Sequence, residues 1–340
     1  MNYLIFRTDR IGDFLITLPV IKSIKRNNPN SKIFIVTSLK NKDFVKSNNY
    51  VDEIFILKKN NLYNKFRLYL RLRKFIFEAI IVSDKKNRSL LLSLLLRSKN
   101  KVFNVSKLNQ KKLLNFFFKN VFLDNDKLFK ITKKDINEKN CKSLGIDLKE
   151  EDHKFFLQNQ FINEYEYEDL FDLNHNNYVV FHYDEKWELD NYAKMFKKAK
   201  NFTDIKINLP LFKKFLSDIE KNKQMKIVVT TGFLNTELIH KLKKISKHLV
   251  KSFYKINNNS FLITDQNFNS ISHLISKSKI FISCHGAFTH IASNYNVKIV
   301  DIIENHKRDH YSRITKHMKK YISLNRDNFS ILGDEIIKNI

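Results

Sequence analysis

Cysteine is almost missing: Cys141 and Cys284 stand far apart, with no metal-ligand spacing around either. That excludes a disulfide framework and a cysteine zinc site, and it fits a reducing compartment. Long apolar runs are missing too. None reaches the roughly 18 residues needed to cross a bilayer, and the longest, around Leu90 to Leu96, ends at Arg97 and reads as a buried helix. Arg7, Asp9, Arg10 and Asp13 interrupt the first turns, which excludes the unbroken apolar core of a secretory signal. Glycine and proline number only five and three in 340 residues, while Lys, Asn, Ile and Phe are plentiful. Biased coding composition produces such a pattern. Acidic residues are outnumbered, 35 Asp and Glu against 62 Lys and Arg, for a net charge of +27. An excess of that size attracts phosphates, nucleic acid or an anionic membrane surface, although coding bias accounts for it equally well. None of the usual nucleic-acid-binding motifs accompanies it, so no nucleic-acid partner is expected.

What is present points to two α/β domains. The length exceeds what one core usually serves, and a hydrophobic content of 43% permits two cores. Strand and helix patterns alternate through the first half: Tyr3 to Phe6, Lys32 to Thr37, Ile54 to Leu57, Ala79 to Val82 and Lys101 to Val105 as strands, with Tyr63 to Phe75 and Ser89 to Leu96 as helices. Alternation of this kind predicts a parallel sheet. Around residues 159–177 the pattern gives way to an acidic, Tyr-rich linker. A second series follows, with strands at Tyr178 to His182, Lys226 to Thr230, Lys279 to Ser283 and Val297 to Ile303, and helices at Asp190 to Lys198 and Thr236 to Ile245. The expected organisation is a first domain over 1–158, the linker, a second domain over 178–327, and a last helix over 328–340 packing back on the first domain.

Four strand ends carry chemistry. The first runs Arg7-Thr8-Asp9-Arg10-Ile11-Gly12-Asp13, where a strand gives way to a helix marked by Phe14, Leu15, Leu18, Ile21 and Ile24. Asp13 reads as a helix cap or, since the first strand-to-helix loop of an open α/β sheet faces the ligand crevice, as a proton acceptor. The second is Ser283-Cys284-His285-Gly286-Ala287, followed by His290, a loop and helix start suited to an anion. Each histidine alone reads equally as a polar helix start or a satisfied buried side chain. The third is Tyr178 to His182 followed by Asp184, Glu185, Lys186 and Trp187, where Lys186 is either a diphosphate partner or a solvated lysine. In the fourth, Thr230-Thr231-Gly232, Gly232 and Glu237 are candidates to hold a ribose hydroxyl. A basic, aromatic stretch, Lys111 to Lys119, reads as an interfacial helix or as one packing Leu114, Phe117, Phe118 and Val121 into the core.

Together these motifs resemble glycosyltransferase family 9, the heptosyltransferases of lipopolysaccharide core assembly, over nearly the whole chain. The resemblance implies a GT-B arrangement, two Rossmann-like domains with parallel sheets facing a central cleft. It implies an inverting, metal-independent transfer of a heptose or another hexose from a nucleotide-sugar donor, such as ADP-heptose, to a lipid-linked or oligosaccharide acceptor. Asp13 corresponds to the family's proposed catalytic base. Gly12, Lys186, Gly232, Glu237, His285, Gly286, Ala287 and His290 then become candidates for donor and phosphate binding, with no cofactor and no metal. The implied location is cytoplasmic, with peripheral attachment to an anionic inner membrane face. Departures are also visible: Cys284, His285, Gly286 and Ala287 stand where the family has Asn, Asp, Thr and Gly, and Glu304-Asn305-His306 replaces its Gly-Pro-Thr loop. A catalytically inactive binding protein of the same fold and a basic nucleic-acid-binding protein remain the alternatives.

Overall fold

The structure is a computed structural model that describes residues 1–58, 61–125, 131–154, 171–173, 177–188, 202–232, 234, 236–295 and 297–340. The chain divides into two compact units, Met1–Gln158 and Asn159–Ile340. The helix expected over Asp190 to Lys198 and most of the 159–177 linker lie outside the described residues. The part of that linker that is described is core rather than connector. Phe171 stacks on Phe261 at 4.3 Å between ring centroids, and Asp172 pairs with Lys226 at 2.6 Å, so this stretch belongs to the second unit.

In the first unit, strands β1 (Asn2–Phe6), β2 (Lys32–Thr37), β3 (Glu53–Ile56), β4 (Phe77–Val82), β5 (Ser98–Val105) and β6 (Asn120–Leu123) form one sheet in the order β3-β2-β1-β4-β5-β6. Every pairing is parallel. Apart from β5, whose first half is polar and only partly buried, the strands are mostly apolar runs because helices cover both faces. Helix α1 (Ile11–Asn27) buries Phe14, Leu15, Leu18, Ile21 and Ile24, the helical spacing read from the sequence. The short α2 (Lys42–Lys46) follows. Helices α3 (Leu62–Leu72), α4 (Asn87–Leu94) and α5 (Leu108–Asn115) lie together on the other face. Their inward residues Leu68, Leu72, Leu92 and Leu114 share one core cluster with Phe6, Phe77 and Phe103. Helix α6 (Lys133–Lys142) begins on a reciprocal cap, the Asp135 amide donating to the Thr132 hydroxyl and the Thr132 amide to the Asp135 carboxylate.

The second unit contains a sheet ordered β14-β13-β12-β7-β8-β11-β10-β9. Its strands are β7 (Tyr178–Tyr183), β8 (Lys226–Thr231), β9 (Lys247–Val250), β10 (Phe253–Lys255), β11 (Ser260–Ile263), β12 (Ile280–Cys284), β13 (Lys298–Ile303) and β14 (Tyr321–Asn325). Six are parallel, but β10 pairs antiparallel with both β9 and β11. The links there are only a few residues long, too short for the crossover that a parallel pair needs. Its helices among the described residues are α7 (Leu209–Lys223), α8 (Glu237–Ile245), α9 (Phe268–Lys277), α10 (Ala287–Ala292), α11 (Arg308–Thr315) and α12 (Phe329–Lys338). The last helix sets its apolar face within the second unit, where Phe329 meets Phe215 of α7 at 5.3 Å and Leu332 and Ile336 join the same core.

Candidate functional site

Both sheets change direction beside their first strand. In the first, β2 lies on one side of β1 and β4 on the other; in the second, β8 and β12 flank β7 in the same way. Helices leaving two such neighbours diverge, so a crevice opens at the carboxyl ends of the strands, where α/β proteins bind ligands.

At the β1/β4 point the central residue is Arg7. It is buried, donates from Nε to the carbonyl of Asp13 at 2.8 Å and from Nη1 to the carbonyl of Ser83, and so ties the end of β1 to α1 and to the end of β4. Its guanidinium lies 3.7 Å from Asp9 and 3.5 Å from Asp13. Asp13 is the third residue of α1, and Arg10 occupies the cap position. The Asp13 carboxylate accepts from the Arg10 amide at 3.3 Å while 37% of its side chain stays exposed. Capping and availability to a substrate therefore coexist in one group. Gly12 sits in the first turn of the same helix, not in a loop before it. Asp9 is more enclosed: burial pushes its carboxyl up, Arg7 opposes that, and Asp13 and Asp84 add to it. Around it, Asp84 accepts from the hydroxyls of Thr8 at 2.5 Å and Ser89 at 2.6 Å.

At the β7/β12 point, Lys186 and Gly286 meet. The Lys186 ammonium pairs with Asp184 at 2.7 Å and donates to the carbonyls of Cys284 and His285, both at 2.9 Å. Burial disfavours its charge, but Asp184 outweighs that and holds the pKa above the ordinary lysine value. A Cβ on Gly286 would stand 2.7 Å from this nitrogen, so any larger residue pushes the ammonium aside. Gly232 is required by space near the backbone: its Cβ would stand 2.7 Å from the Asp184 Cβ and 3.1 Å from the Asp184 Cα. The loop is anchored by the fully buried Trp187, whose indole donates to the carbonyl of His182 at 2.9 Å.

The other sequence candidates divide. His285 lies on the site's edge and donates from Nδ1 to the buried carboxylate of Asp301 at 2.6 Å; that carboxylate also accepts from Tyr321 at 2.8 Å and Thr289 at 3.3 Å. This hub on β13 fixes the imidazole's orientation. Ala287 opens α10, and the Gly286 amide is taken by the Thr289 hydroxyl at 3.2 Å. His290 is buried, and burial, then His285 and His317, hold its pKa well below the ordinary range, so it is neutral. Glu237 is on the surface with Lys241 at 2.5 Å. The carboxylate at the start of α8 is instead Glu188, which accepts from the amides of Glu237 and Leu238, both at 3.1 Å. Asp184, Glu188 and Asp301 carry no assignment in the sequence reading; a lone Asp inside the apolar run Lys298–Ile303 was the available signal. Glu304, in the divergent loop, is buried and pairs with Arg326 at 3.3 Å, joining the ends of β13 and β14.

His182 sets a pH response. Burial, opposed by Asp184 and reinforced by Lys186, draws His182 down from 6.5 to about 4. Between those values the unfolded chain binds a proton that the folded chain does not, so stability falls as the pH drops through 6.5 toward 4. His182→Gln is expected to lose less of its urea midpoint than the wild type on going from pH about 7 to about 4.5; an equal loss overturns the assignment.

No protein-family model and no curated protein matches this sequence. Solved structures do match it in fold. The E. coli heptosyltransferase WaaC with ADP is 12% identical, with 100% of this chain and 98% of that one covered and a TM-score of 0.66. A glycosyl transferase of family 9 from Veillonella parvula DSM 2008 is 13% identical, covering 100% and 90%, at 0.64. The UDP-GlcNAc 2-epimerase of Methanocaldococcus jannaschii is 11% identical, covering 100% and 91%, at 0.51. The fold is thus the GT-B type of the family 9 heptosyltransferases, which the sequence motifs resemble. At these identities the likeness is one of fold, and a fold shared with an epimerase does not select the reaction.

Proposed function

We propose that this chain is a glycosyltransferase moving a sugar, a heptose or a related hexose, from a nucleoside diphosphate to a saccharide acceptor in lipopolysaccharide or surface-glycan assembly. The observation that carries the reading is that the two candidate groups lie at the two topological switch points: Asp13 beside the β1/β4 point, Lys186 with Gly286 at the β7/β12 point. In this scheme Asp13 takes the proton of the acceptor hydroxyl as that oxygen bonds to the anomeric carbon. The bond from that carbon to the diphosphate oxygen breaks on the opposite side, inverting the centre, and the electron pair leaves with the diphosphate. Lys186 supplies fixed positive charge to the leaving group. Its three N–H donors are engaged by Asp184, Cys284 and His285, so a phosphate oxygen exchanges for one of the carbonyls. The charge itself is already in place and needs no reorganisation.

Thermal shift against a panel of nucleoside diphosphates tests the donor half. A nucleotide at about 100 times its dissociation constant stabilises by roughly 2.7 kcal/mol, and the base giving the largest shift identifies the donor. Gly286→Ala, which displaces the Lys186 ammonium, is expected to lower that affinity by about tenfold while the apo protein stays folded, in line with loss of one charged hydrogen bond. No shift with any nucleotide sinks the reading. A shift without sugar transfer or donor hydrolysis leaves the inactive binding protein in its place.

A further inference from the structure

Helices α3, α4 and α5, which share one face of the first sheet, turn an unusual surface outward. Among the described residues sixteen large hydrophobic side chains are exposed, and eleven of them fall between Leu62 and Phe117. Phe116 and Phe117 at the end of α5 are 86% and 76% exposed, and Leu91 and Leu95 around α4 are 62% and 65% exposed. On α3, Leu62, Phe66 and Leu70 recur every fourth residue along the outside. The packing alternative for Lys111 to Lys119 holds for Leu114 and Val121, which are buried, but not for Phe117. The same span, 62–119, holds 15 Lys and Arg against two acidic residues, Glu78 and the buried Asp84; the three helices contain no Asp or Glu.

We propose that this face docks on an anionic phospholipid bilayer. Coding bias explains many lysines, but it does not turn leucine and phenylalanine toward water on one face. The second unit is also rich in Lys, Asn, Ile and Phe, yet it exposes only Leu234, Ile245 and Ile331 among its described residues. Exposed apolar groups on this scale call for a partner. Its chemistry is set by the pairing of aliphatic tips with a large excess of cations over carboxylates: lipid tails take the first, anionic headgroups the second. A nucleic acid uses the charge and the aromatic rings, but it has no use for leucines. Among the described residues no helix is long and apolar enough to cross a membrane. In this arrangement Phe116 and Phe117 enter the headgroup boundary. Lys112 and Lys119, both exposed, lie beside them in sequence and face headgroups.

Flotation of the full chain with phosphatidylcholine vesicles, with and without roughly one-third phosphatidylglycerol, tests this independently of sugar transfer. Binding to the anionic vesicles is expected at physiological ionic strength, weakening as salt rises, with little on the neutral ones. Phe116→Ser with Phe117→Ser is expected to weaken it by at least about tenfold, and Lys112→Glu alone by about fivefold or more. Leu91→Ser with Leu95→Ser, on a different helix, is expected to act in the same direction. The nucleoside diphosphate thermal shift of all these variants stays that of the wild type, which separates this surface from the donor site. Absence of flotation at low salt, equal binding to neutral vesicles, or double variants that float like the wild type overturns the proposal. So does release from the vesicles by a random oligonucleotide that binds the same face more tightly.

Discussion

Asp13→Asn is expected to lower the rate of sugar transfer by ~10²- to 10⁴-fold, the usual contribution of a positioned general base, with the unfolding temperature nearly unchanged. The substitution keeps the side chain's volume and an oxygen for the Arg10 amide, so the start of α1 stays capped. The ion pair it removes is weak, since Arg7 and Asp13 are 3.5 Å apart and the carboxylate is 37% exposed. Partly exposed pairs of that kind contribute up to about 1 kcal/mol. Arg7 also retains Asp9 at 3.7 Å and the carbonyls of Asp13 and Ser83. Asp9→Asn is the control. Asp9 is the more enclosed carboxyl, with one oxygen buried and without a hydrogen-bond partner, and its loss is expected to change transfer far less. If Asp9→Asn abolishes transfer while Asp13→Asn spares it, the base has been assigned to the wrong carboxylate. Single-turnover kinetics with donor and acceptor both saturating is the measurement, because it isolates the chemical step from binding.

Lys186→Met carries the second large effect, on stability as well as on binding. Removing the ammonium strands the Asp184 carboxylate, 5% exposed, and deprives the carbonyls of Cys284 and His285 of their donor. Deleting one partner of a buried pair costs about 3 kcal/mol or more, largely through the charge left behind. The double variant Asp184→Asn with Lys186→Met removes that charge and is expected to recover most of the lost stability. It is not expected to recover nucleoside diphosphate binding, because the fixed positive charge remains missing. Urea denaturation of both variants, paired with the thermal shift, separates the two contributions. Equal destabilisation in the single and double variants contradicts the stranded-charge account.

The parallel strands were legible because each is an apolar run flanked by helical periodicity, and β1, β2, β7, β8 and β12 needed nothing more. Strand β9, Lys247–Val250, was not: two of its four residues are exposed, and an edge strand with water on one side has no apolar run to display. Strand β14 is half-buried at the other edge for the same reason. Helix α7 was readable in principle, since Phe212, Phe215, Leu216 and Ile219 keep helical spacing after the Asn208 cap. At the site, Asp13, Lys186 and Gly286 could be picked out because strand-to-helix turns are where α/β sheets present ligands. The partners could not. That Asp301 orients His285, or that Asp184 holds Lys186 against the end of β12, depends on strand order, and no local pattern encodes which strand lies beside which.

The loop that carries Lys186 has one more property. Trp187 is the only tryptophan in the chain, and it is fully buried between Tyr183 and Phe181, with ring centroids 5.8 and 4.7 Å away. Indole emission therefore has a single source, one residue from the ammonium, and the first unit is dark at that wavelength. Unfolding followed by this emission reports the second unit alone, whereas far-ultraviolet dichroism reports helices and strands of both. The gap between the two transitions measures how far the units melt independently. A quenching change on adding nucleotide reads the seating of the lysine loop directly, with no label.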